Sequence, residues 1–232
     1  MKLIDLLRKS HSLFLLICLT VLSCRSKITC KKLTADYISV IDDIKTLRDT
    51  LDFVETLTDL LMKDPYCEKA YQIRGTMTMG NKKYSLAKSD FLSALKINDS
   101  SVYSLYFLSI LYNLDNVNDS ALRMVNKAIA LKFDGKYVME HNNLFSEKFD
   151  IPFNELVIWR GILLYELGLY DLAKNDFINS VGDNYELGES FAYLSAIYQI
   201  KNNLDSACYY QQAAFRNKFS EKIDSLPDLA CP

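Results

Sequence analysis

Residues 71–95 read YQIRGTMTMGNKKYSLAKSDFLSAL, and residues 157–181 read VIWRGILLYELGLYDLAKNDFINSV. In both stretches a glycine lies 12 residues before an alanine, and a phenylalanine lies four residues after that alanine. Apolar residues recur at intervals of three and four, which is the spacing of an amphipathic helix. The two stretches therefore predict paired helices, in which small residues allow close approach and large residues fill the adjoining space.

This spacing recurs along the chain with a period of 34 residues. Ala87 and Ala121 are 34 residues apart, as are Ala173 and Ala207, and small residues precede all four alanines in step. The pattern resembles the tetratricopeptide repeat, a two-helix unit with the same period. The resemblance covers residues 68–101, 102–135, 154–187 and 188–221. It implies an all-α fold, an α-solenoid of antiparallel helix pairs that forms a right-handed superhelix.

The amino-acid composition agrees with a helical, ordered chain. The 232 residues include 7 Gly and 4 Pro, whereas average usage of about 12% would give roughly 28. Half of the residues are hydrophobic and 24% are charged, so the chain can bury a core. The formal net charge is −2, without the basic excess typical of nucleic-acid-binding proteins. We therefore expect no nucleic-acid partner.

The repeat register changes in two places. Ala121 and Ala173 are 52 residues apart, which is one period plus an 18-residue insertion at 136–153. Insertions in repeat arrays emerge as loops on one face, either a binding face or a tolerated surface loop. Residues 34–67 keep the second-helix spacing without its alanine, and we interpret them as a degenerate capping repeat. Residues 222–232 are interpreted as a C-terminal cap or tail.

The N-terminal residues have the pattern of an export signal. Basic residues precede the apolar run 13–22, which is about half of the roughly 20 residues needed to span a bilayer. Val21-Leu22-Ser23-Cys24 resembles the lipobox of bacterial lipoprotein signal peptides. That resemblance implies a signal peptide at 1–23, lipid on Cys24 and a tether at 24–33. The alternatives are an ordinary cleaved signal with an incidental cysteine and a short core helix.

Lipidation would also determine the location of the protein. Arg25 follows Cys24, whereas the family commonly has an aspartate there to retain a lipoprotein in the inner membrane. The resemblance therefore implies an anchor in the outer membrane, with the chain facing the periplasm.

Export places the remaining cysteines in an oxidising compartment. With the signal peptide removed and Cys24 lipidated, four thiols remain, and four thiols allow three pairings. Residues just before the first helix of a hairpin and just after the second lie close together. Cys30 and Cys67 occupy such places, and Cys208 and Cys231 can meet where the final segment folds back, so disulfides Cys30–Cys67 and Cys208–Cys231 are expected. Buried free thiols are the alternative.

Motifs that carry catalysis are missing from the sequence. The chain after the signal peptide has one histidine, His141, which excludes sites that need two. GxSxG, GxxxxGK[ST] and GxGxxG are all absent from the sequence. We therefore expect no enzyme activity, no cofactor and no metal site.

What remains is a surface for a partner. In tetratricopeptide proteins the first helix of each pair lines a concave groove that receives a peptide or partner segment. By resemblance, those positions here are Gln72, Thr76, Met79, Tyr103, Tyr106, Ile110, Asn113, Ile158, Ile162, Tyr165, Ala192, Ala196 and Gln199. Packing between repeats is the alternative for several of them. Only Lys69, Arg74 and Asn113 approach the family's clamp for a terminal carboxylate, so that binding mode is not expected.

These features predict a membrane-anchored scaffold or assembly factor of the cell envelope. Its partner would be another envelope protein or a peptide segment in the concave groove, and lipid on Cys24 would attach it to the membrane. The alternative is an accessory lipoprotein of nutrient uptake that binds a saccharide or peptide ligand.

Overall fold

The computed structural model describes residue 30, residues 47–133, 150–181 and 187–219, and residues 229 and 231. Within these residues it consists of nine α-helices without a strand. They are α1 Leu47–Lys63, α2 Glu68–Gly80, α3 Tyr84–Ile97, α4 Val102–Leu114, α5 Asn118–Phe133, α6 Phe153–Glu166, α7 Tyr170–Val181, α8 Leu187–Ile200 and α9 Leu204–Arg216. The signal peptide, Cys24, most of the tether, most of the insertion with His141 and most of the C-terminal tail lie outside the described residues.

Helices α2 to α9 form four stacked pairs. Helix α2 packs against α3, α4 against α5, α6 against α7 and α8 against α9, while α3, α5 and α7 each pack against the first helix of the next pair. The insertion does not interrupt the stack, because α5 contacts α6 directly. The α-solenoid of helix pairs predicted from the 34-residue period is confirmed.

Helix α1 takes the place of the second helix of a preceding pair. It packs against α2, and Phe53, Leu57 and Leu60 on its inner face are buried. The first helix of the predicted capping repeat lies outside the described residues, so the boundary of that repeat at residue 34 stays a prediction.

The turn within each pair contains one residue in the left-handed backbone conformation. These residues are Lys82, Asn116, Gly168 and Asn202, with φ between 57° and 72°. In the first turn the N–H of Lys83 donates to the carbonyl of Thr78 at 2.8 Å, which is the outer hydrogen bond of a Schellman motif. The same turn in all four pairs makes the two helices of each pair antiparallel.

Two glycines allow the paired helices to approach closely. A Cβ added at Gly75 would lie 3.0 Å from Cζ of Phe91, and one added at Gly161 would lie 2.9 Å from Cε1 of Phe177. Both phenylalanine side chains are completely buried. The glycines therefore leave the space in which the rings lie.

Gly161→Ala is expected to lower the free energy of unfolding by about 2 kcal/mol, because the added methyl group must displace the Phe177 ring, which is completely buried and stacked on Tyr193. Urea unfolding followed by circular dichroism measures the change. Gly80→Ala is the matched control, since nothing lies within 4 Å of its added Cβ. Alanine's higher helix propensity predicts an unchanged or slightly higher stability there. Equal losses in the two variants would contradict the role given to the ring contact.

Residues 68–133 and 154–219 are two copies of one arrangement, 86 positions apart; we call them the first half and the second half. In the first half, Arg74 donates to both carboxylate oxygens of Asp90, at 3.0 and 2.6 Å. In the second half, Arg160 donates to both oxygens of Asp176, at 2.8 and 2.6 Å. Each aspartate is only 4% exposed. In each half, a bidentate ion pair with a buried carboxylate therefore joins the two helices of the first helix pair.

The same arginines also reach the preceding helix pair. Nη1 of Arg74 donates to Oγ1 of Thr58 on α1 at 3.0 Å, and Nη1 of Arg160 donates to Oδ1 of Asn126 on α5 at 3.3 Å. Each arginine thus links its own helix to two neighbouring helices. The first pair of each half is thereby fixed to the pair before it.

Candidate functional site

The predicted concave positions lie on α2, α4, α6 and α8, and the structure divides them by exposure. Seven are buried, with exposed fractions of 1–9%: Gln72, Tyr103, Ile158, Ile162, Tyr165, Ala192 and Ala196. Six are half-buried: Thr76, Met79, Tyr106, Ile110, Asn113 and Gln199. The first group packs between helices, as the alternative interpretation of these positions states, and offers little surface to a partner. The second group is accessible.

Accessible concave positions concentrate in the first half. Five of the six lie on α2 and α4, and we call them the α2–α4 patch: Thr76, Met79, Tyr106, Ile110 and Asn113. The equivalent positions of the second half, 86 residues later, are Ile162, Tyr165, Ala192, Ala196 and Gln199. Four of these five are buried. The two halves share a scaffold and differ on the concave face.

Tyr165 shows how the second half fills its concave side. Its ring lies edge-on to Tyr170 at 5.4 Å and to Tyr193 at 5.2 Å between ring centroids. Met79 occupies the equivalent position in the first half and stays half-buried. An unbranched methionine in place of a locked aromatic ring leaves a surface that can adapt to a bound side chain.

Tyr103 is a buried residue that contacts Thr76 of the α2–α4 patch. Its hydroxyl shares a hydrogen bond with Oγ1 of Thr76 at 2.8 Å, and its ring packs against Phe107 with 4.7 Å between centroids. Burial raises the pKa of Tyr103 to about 12. Tyr103 therefore acts as a neutral packing residue that positions Thr76, rather than as a contact residue.

The raised pKa of Tyr103 predicts a loss of stability at alkaline pH. The contribution is complete below pH 10, where tyrosine is protonated in the folded and unfolded chains alike. It is lost as the pH rises towards 12, because only the unfolded chain then releases the proton. At pH 8 the free energy of unfolding of the wild type should exceed that of Tyr103→Phe by about 1 kcal/mol. This difference should become smaller above pH 10. Urea unfolding of both proteins at pH 8 and again above pH 10 measures the difference. A difference that stays constant would contradict the raised pKa of Tyr103.

Gln72, which is buried beside the α2–α4 patch, connects the helix pair α2–α3 to the helix pair α4–α5. Its Nε2 donates to Oε1 of Glu68 at 2.7 Å and to Oγ of Ser101 at 2.8 Å. Ser101 is the N-cap of α4, where its side chain accepts from the N–H of Ser104. Among the described atoms, Oε1 of Gln72 is buried without a hydrogen-bond partner. Gln72 thus fixes the start of α4 relative to α2.

Asn113 links the patch to the second half. Its Nδ2 donates to Oε2 of Glu166, the last residue of α6, at 2.6 Å. Asn113 is half-buried and Glu166 is exposed, so this bond lies at the solvent edge. It orients the amide at one end of the patch.

Arg74 is one of the three residues that approach the family's clamp for a terminal carboxylate. Asp90 and Thr58 hold the guanidinium of Arg74, which is therefore committed to the scaffold. The five side chains of the α2–α4 patch are themselves uncharged, and the exposed carboxylate of Glu166 borders the patch through its bond to Asn113.

Sequence reasoning missed Trp159, the one tryptophan of the chain. Its Nε1 donates to Oγ of Ser109 at 2.8 Å, and Oγ of Ser109 donates to the carbonyl of Ala121 at 2.9 Å. The indole on α6 is therefore bonded to α4 and joins the two halves. A single large aromatic residue just after the insertion is the sequence signal for this contact.

The cysteines lie at the two ends of the stack. The structure joins Cys30 to Cys67 and Cys208 to Cys231 by disulfides, with Cα atoms 5.6 and 5.4 Å apart. Cys67 is completely buried at the start of α2, and Cys208 is half-buried on α9. One disulfide therefore connects a chain segment to each end of the solenoid.

Two other kinds of feature are absent from the described ranges. None of the helices there combines the length and the apolar character needed to cross a membrane. In the same part of the chain, His, Cys, Asp and Glu side chains do not gather in groups of three or more that could hold a metal ion.

The stacked antiparallel pairs define the fold class: an α-solenoid of helix pairs, the fold of tetratricopeptide-repeat proteins. Among solved structures, the chain is similar to PilW, a widely conserved type IV pilus biogenesis factor, with a TM-score of 0.64 and 18% identity over 83% of this chain and 79% of that one. It is similar to MamA, with a TM-score of 0.62 and 15% identity over 76% and 93%. It is also similar to YrrB, a tetratricopeptide-repeat protein with an unusual peptide-binding site, with a TM-score of 0.57 and 17% identity over 86% and 96%. No protein-family model and no curated protein matches the chain.

Proposed function

We propose that this protein is a non-catalytic scaffold or assembly factor of the cell envelope. Lipid on Cys24 would hold it at the outer membrane, with the helix pairs facing the periplasm. The α2–α4 patch would bind an extended segment of another envelope protein. The observation that carries this proposal is that five predicted concave side chains of the first half are only half-buried, whereas four of their five equivalents in the second half are buried.

The composition of the patch indicates the kind of segment that it fits. Met79, Tyr106 and Ile110 offer apolar contact area, and Thr76 and Asn113 place a hydroxyl and an amide beside it. Tyrosine gives a large contact area at low entropy cost, and methionine adapts its shape. Because the five residues carry no charge, a segment with apolar side chains and free backbone hydrogen-bonding groups matches them best.

Two solved structures with the same fold support a binding role. YrrB is described by its peptide-binding site, and PilW by its part in type IV pilus biogenesis. Both descriptions are consistent with a solenoid that holds or assembles other proteins. The identities of 17% and 18% do not carry either partner over to this chain.

The cysteines support an envelope location. Disulfides persist in oxidising compartments such as the bacterial periplasm and are rare in the cytosol. The described part of the chain contains two of them, and the N-terminal sequence resembles a lipoprotein signal. Cys24→Ala should move the protein from the membrane fraction to the soluble fraction, as followed by immunoblotting. Retention of the variant in the membrane would contradict the anchor.

Ile110→Glu tests the patch itself. We expect this variant to co-purify with at least tenfold less partner than the wild type from detergent-solubilised membranes. The reason is that the substitution places a charge in an uncharged apolar surface. Ile178→Glu is the matched control, since Ile178 is 46% exposed on α7, outside the patch. Circular dichroism checks that both variants are folded. Equal recovery with both variants would place the binding surface elsewhere. Stabilisation by a saccharide without a protein partner would favour the nutrient-uptake alternative.

A further inference from the structure

The disulfide between Cys30 and Cys67 fixes the place where the N-terminal part of the chain joins the solenoid. The two Cα atoms are 5.6 Å apart. Cys67 is completely buried and lies between the end of α1 at Lys63 and the start of α2 at Glu68. Residues 1–29 precede Cys30. A group attached to those residues is therefore tethered to the turn between α1 and α2, at the N-terminal end of the stack.

Chain length limits how far this tether reaches. Cys24 precedes Cys30 by six positions, and six residues span at most about 22 Å in any conformation. With the 5.6 Å across the disulfide, Cys24 lies within about 27 Å of Cys67. Leu47, the first residue of α1, is 23 positions from Cys24, which allows at most roughly 80 Å. The disulfide therefore keeps a lipid on Cys24, and with it the bilayer, close to the N-terminal end of the stack.

Two exposed hydrophobic side chains lie beside this attachment point. Met62 is 73% exposed and Tyr66 is 81% exposed; with Phe133 they are the three most exposed large hydrophobic side chains of the described residues. Lys63 lies between them in the sequence and is also exposed. The N–H of Tyr66 donates to Oδ1 of Asp64 at 3.3 Å, which holds the backbone of the turn. The turn thus presents an apolar side chain, an aromatic ring and an amine to solvent.

This combination of side chains matches the interface of a lipid bilayer. A tyrosine ring places its apolar body against the acyl chains and its hydroxyl among the headgroups. A methionine adds apolar contact area, and an amine approaches the phosphates of the lipids. A bilayer is also the surface that the short tether keeps within reach of the turn.

We propose that residues 62–67 lie on the bilayer surface and form a second membrane contact beside the lipid on Cys24. This inference rests on the lipidation of Cys24 in the proposed function. Met62 and the ring of Tyr66 enter the headgroup region, and the solenoid stands with its N-terminal end on the membrane. Helix α2 begins directly after this turn and has 13 residues, which is a length of about 20 Å. The α2–α4 patch is therefore within reach of partner segments that emerge close to the membrane.

Fluorescence quenching by a spin-labelled lipid tests the contact. The full-length protein, purified with its lipid, is reconstituted into phosphatidylethanolamine–phosphatidylglycerol vesicles that contain a phospholipid with a nitroxide near its headgroup. The new tryptophan of Tyr66→Trp should lose at least half of its emission, after subtraction of the wild-type signal from Trp159. Tyr209→Trp is the matched control and should keep its emission, because Tyr209 is 66% exposed on α9, at the other end of the stack. Equal emission from the two variants in vesicle-bound protein would overturn the proposal.

Two further variants separate contact from tethering. In the Tyr66→Trp protein, Met62→Glu should reduce the quenching at least twofold, because it places a charge against the acyl chains. Leu172→Glu, at a residue that is 53% exposed on α7, is the control and should leave the quenching unchanged. Cys30→Ala should also reduce the quenching at least twofold, since the tether then extends to Leu47. Quenching that neither Met62→Glu nor Cys30→Ala lowers would overturn the contact.

Mass spectrometry of the purified protein separates this inference from the proposed function. Lipid on Cys24 without quenching at position 66 would overturn the bilayer contact and leave the scaffold proposal standing. An unmodified Cys24 would contradict the anchor in the proposed function, and the bilayer contact with it.

Discussion

Arg160→Ala is expected to lower the free energy of unfolding by about 3 kcal/mol, because it leaves the buried carboxylate of Asp176 without its partner. Asp176 is 4% exposed and accepts two hydrogen bonds from Arg160. The hydrogen bond with Asp176 raises the pKa of Arg160, so the guanidinium keeps its charge throughout the neutral range. Urea unfolding followed by circular dichroism measures the loss.

A double substitution separates the unpaired charge from the loss of side-chain packing. Replacing both partners, as Arg160→Met with Asp176→Leu, should recover at least half of the loss, since no charge is then buried alone. Arg74→Ala should behave like Arg160→Ala, because Asp90 is equally buried in the first half. A loss below about 0.5 kcal/mol in both single variants would show that the pairs are solvated surface contacts.

The second large effect concerns the disulfide between Cys30 and Cys67, which are 37 positions apart. On the chain-entropy account, removing a disulfide that closes a loop of this length is expected to lower the free energy of unfolding by about 3–4 kcal/mol. Cys30→Ala removes the bond at a half-buried position and leaves Cys67 as a buried thiol, which packs as a small hydrophobe. Urea unfolding of this variant should show the loss without reductant.

Alkylation and intact-mass measurement check the pairing first. The native protein should take up no alkylating reagent at Cys30, Cys67, Cys208 and Cys231, and should take up four equivalents after reduction and unfolding. Alkylation of all four cysteines without reductant, either in the native protein or after unfolding, would contradict both disulfides. A stability of Cys30→Ala equal to that of wild type would contradict the expected size of the effect.

The repeat fold could be predicted from the sequence because its determinants are local and periodic. Gly75 and Phe91 recur as Gly161 and Phe177, and each pair lies within one hairpin. Their spacing follows from the geometry of two antiparallel helices and a short turn. The insertion could be recognised for the same reason, since it changes the period without changing the residues on either side.

The candidate site was predicted only in part, because exposure depends on side chains from other helices. Gln72 is buried through bonds to Glu68 and Ser101, and nothing in the 34-residue pattern indicates those bonds. Tyr165 and Met79 occupy equivalent repeat positions, yet only the tyrosine is locked into the core by neighbouring rings. The register placed these positions on one face; the size and partners of each side chain determined which ones stay accessible.

Site-specific photo-crosslinking in intact cells tests the central claim that the first half carries the binding surface. A photoreactive amino acid at Asn113 is compared with the same amino acid at Gln199, its equivalent in the second half, since both positions are half-buried. The account predicts a discrete crosslinked envelope protein from position 113 and little or none from position 199. A crosslink from position 199 alone, or none from position 113 when a partner co-purifies, would contradict it.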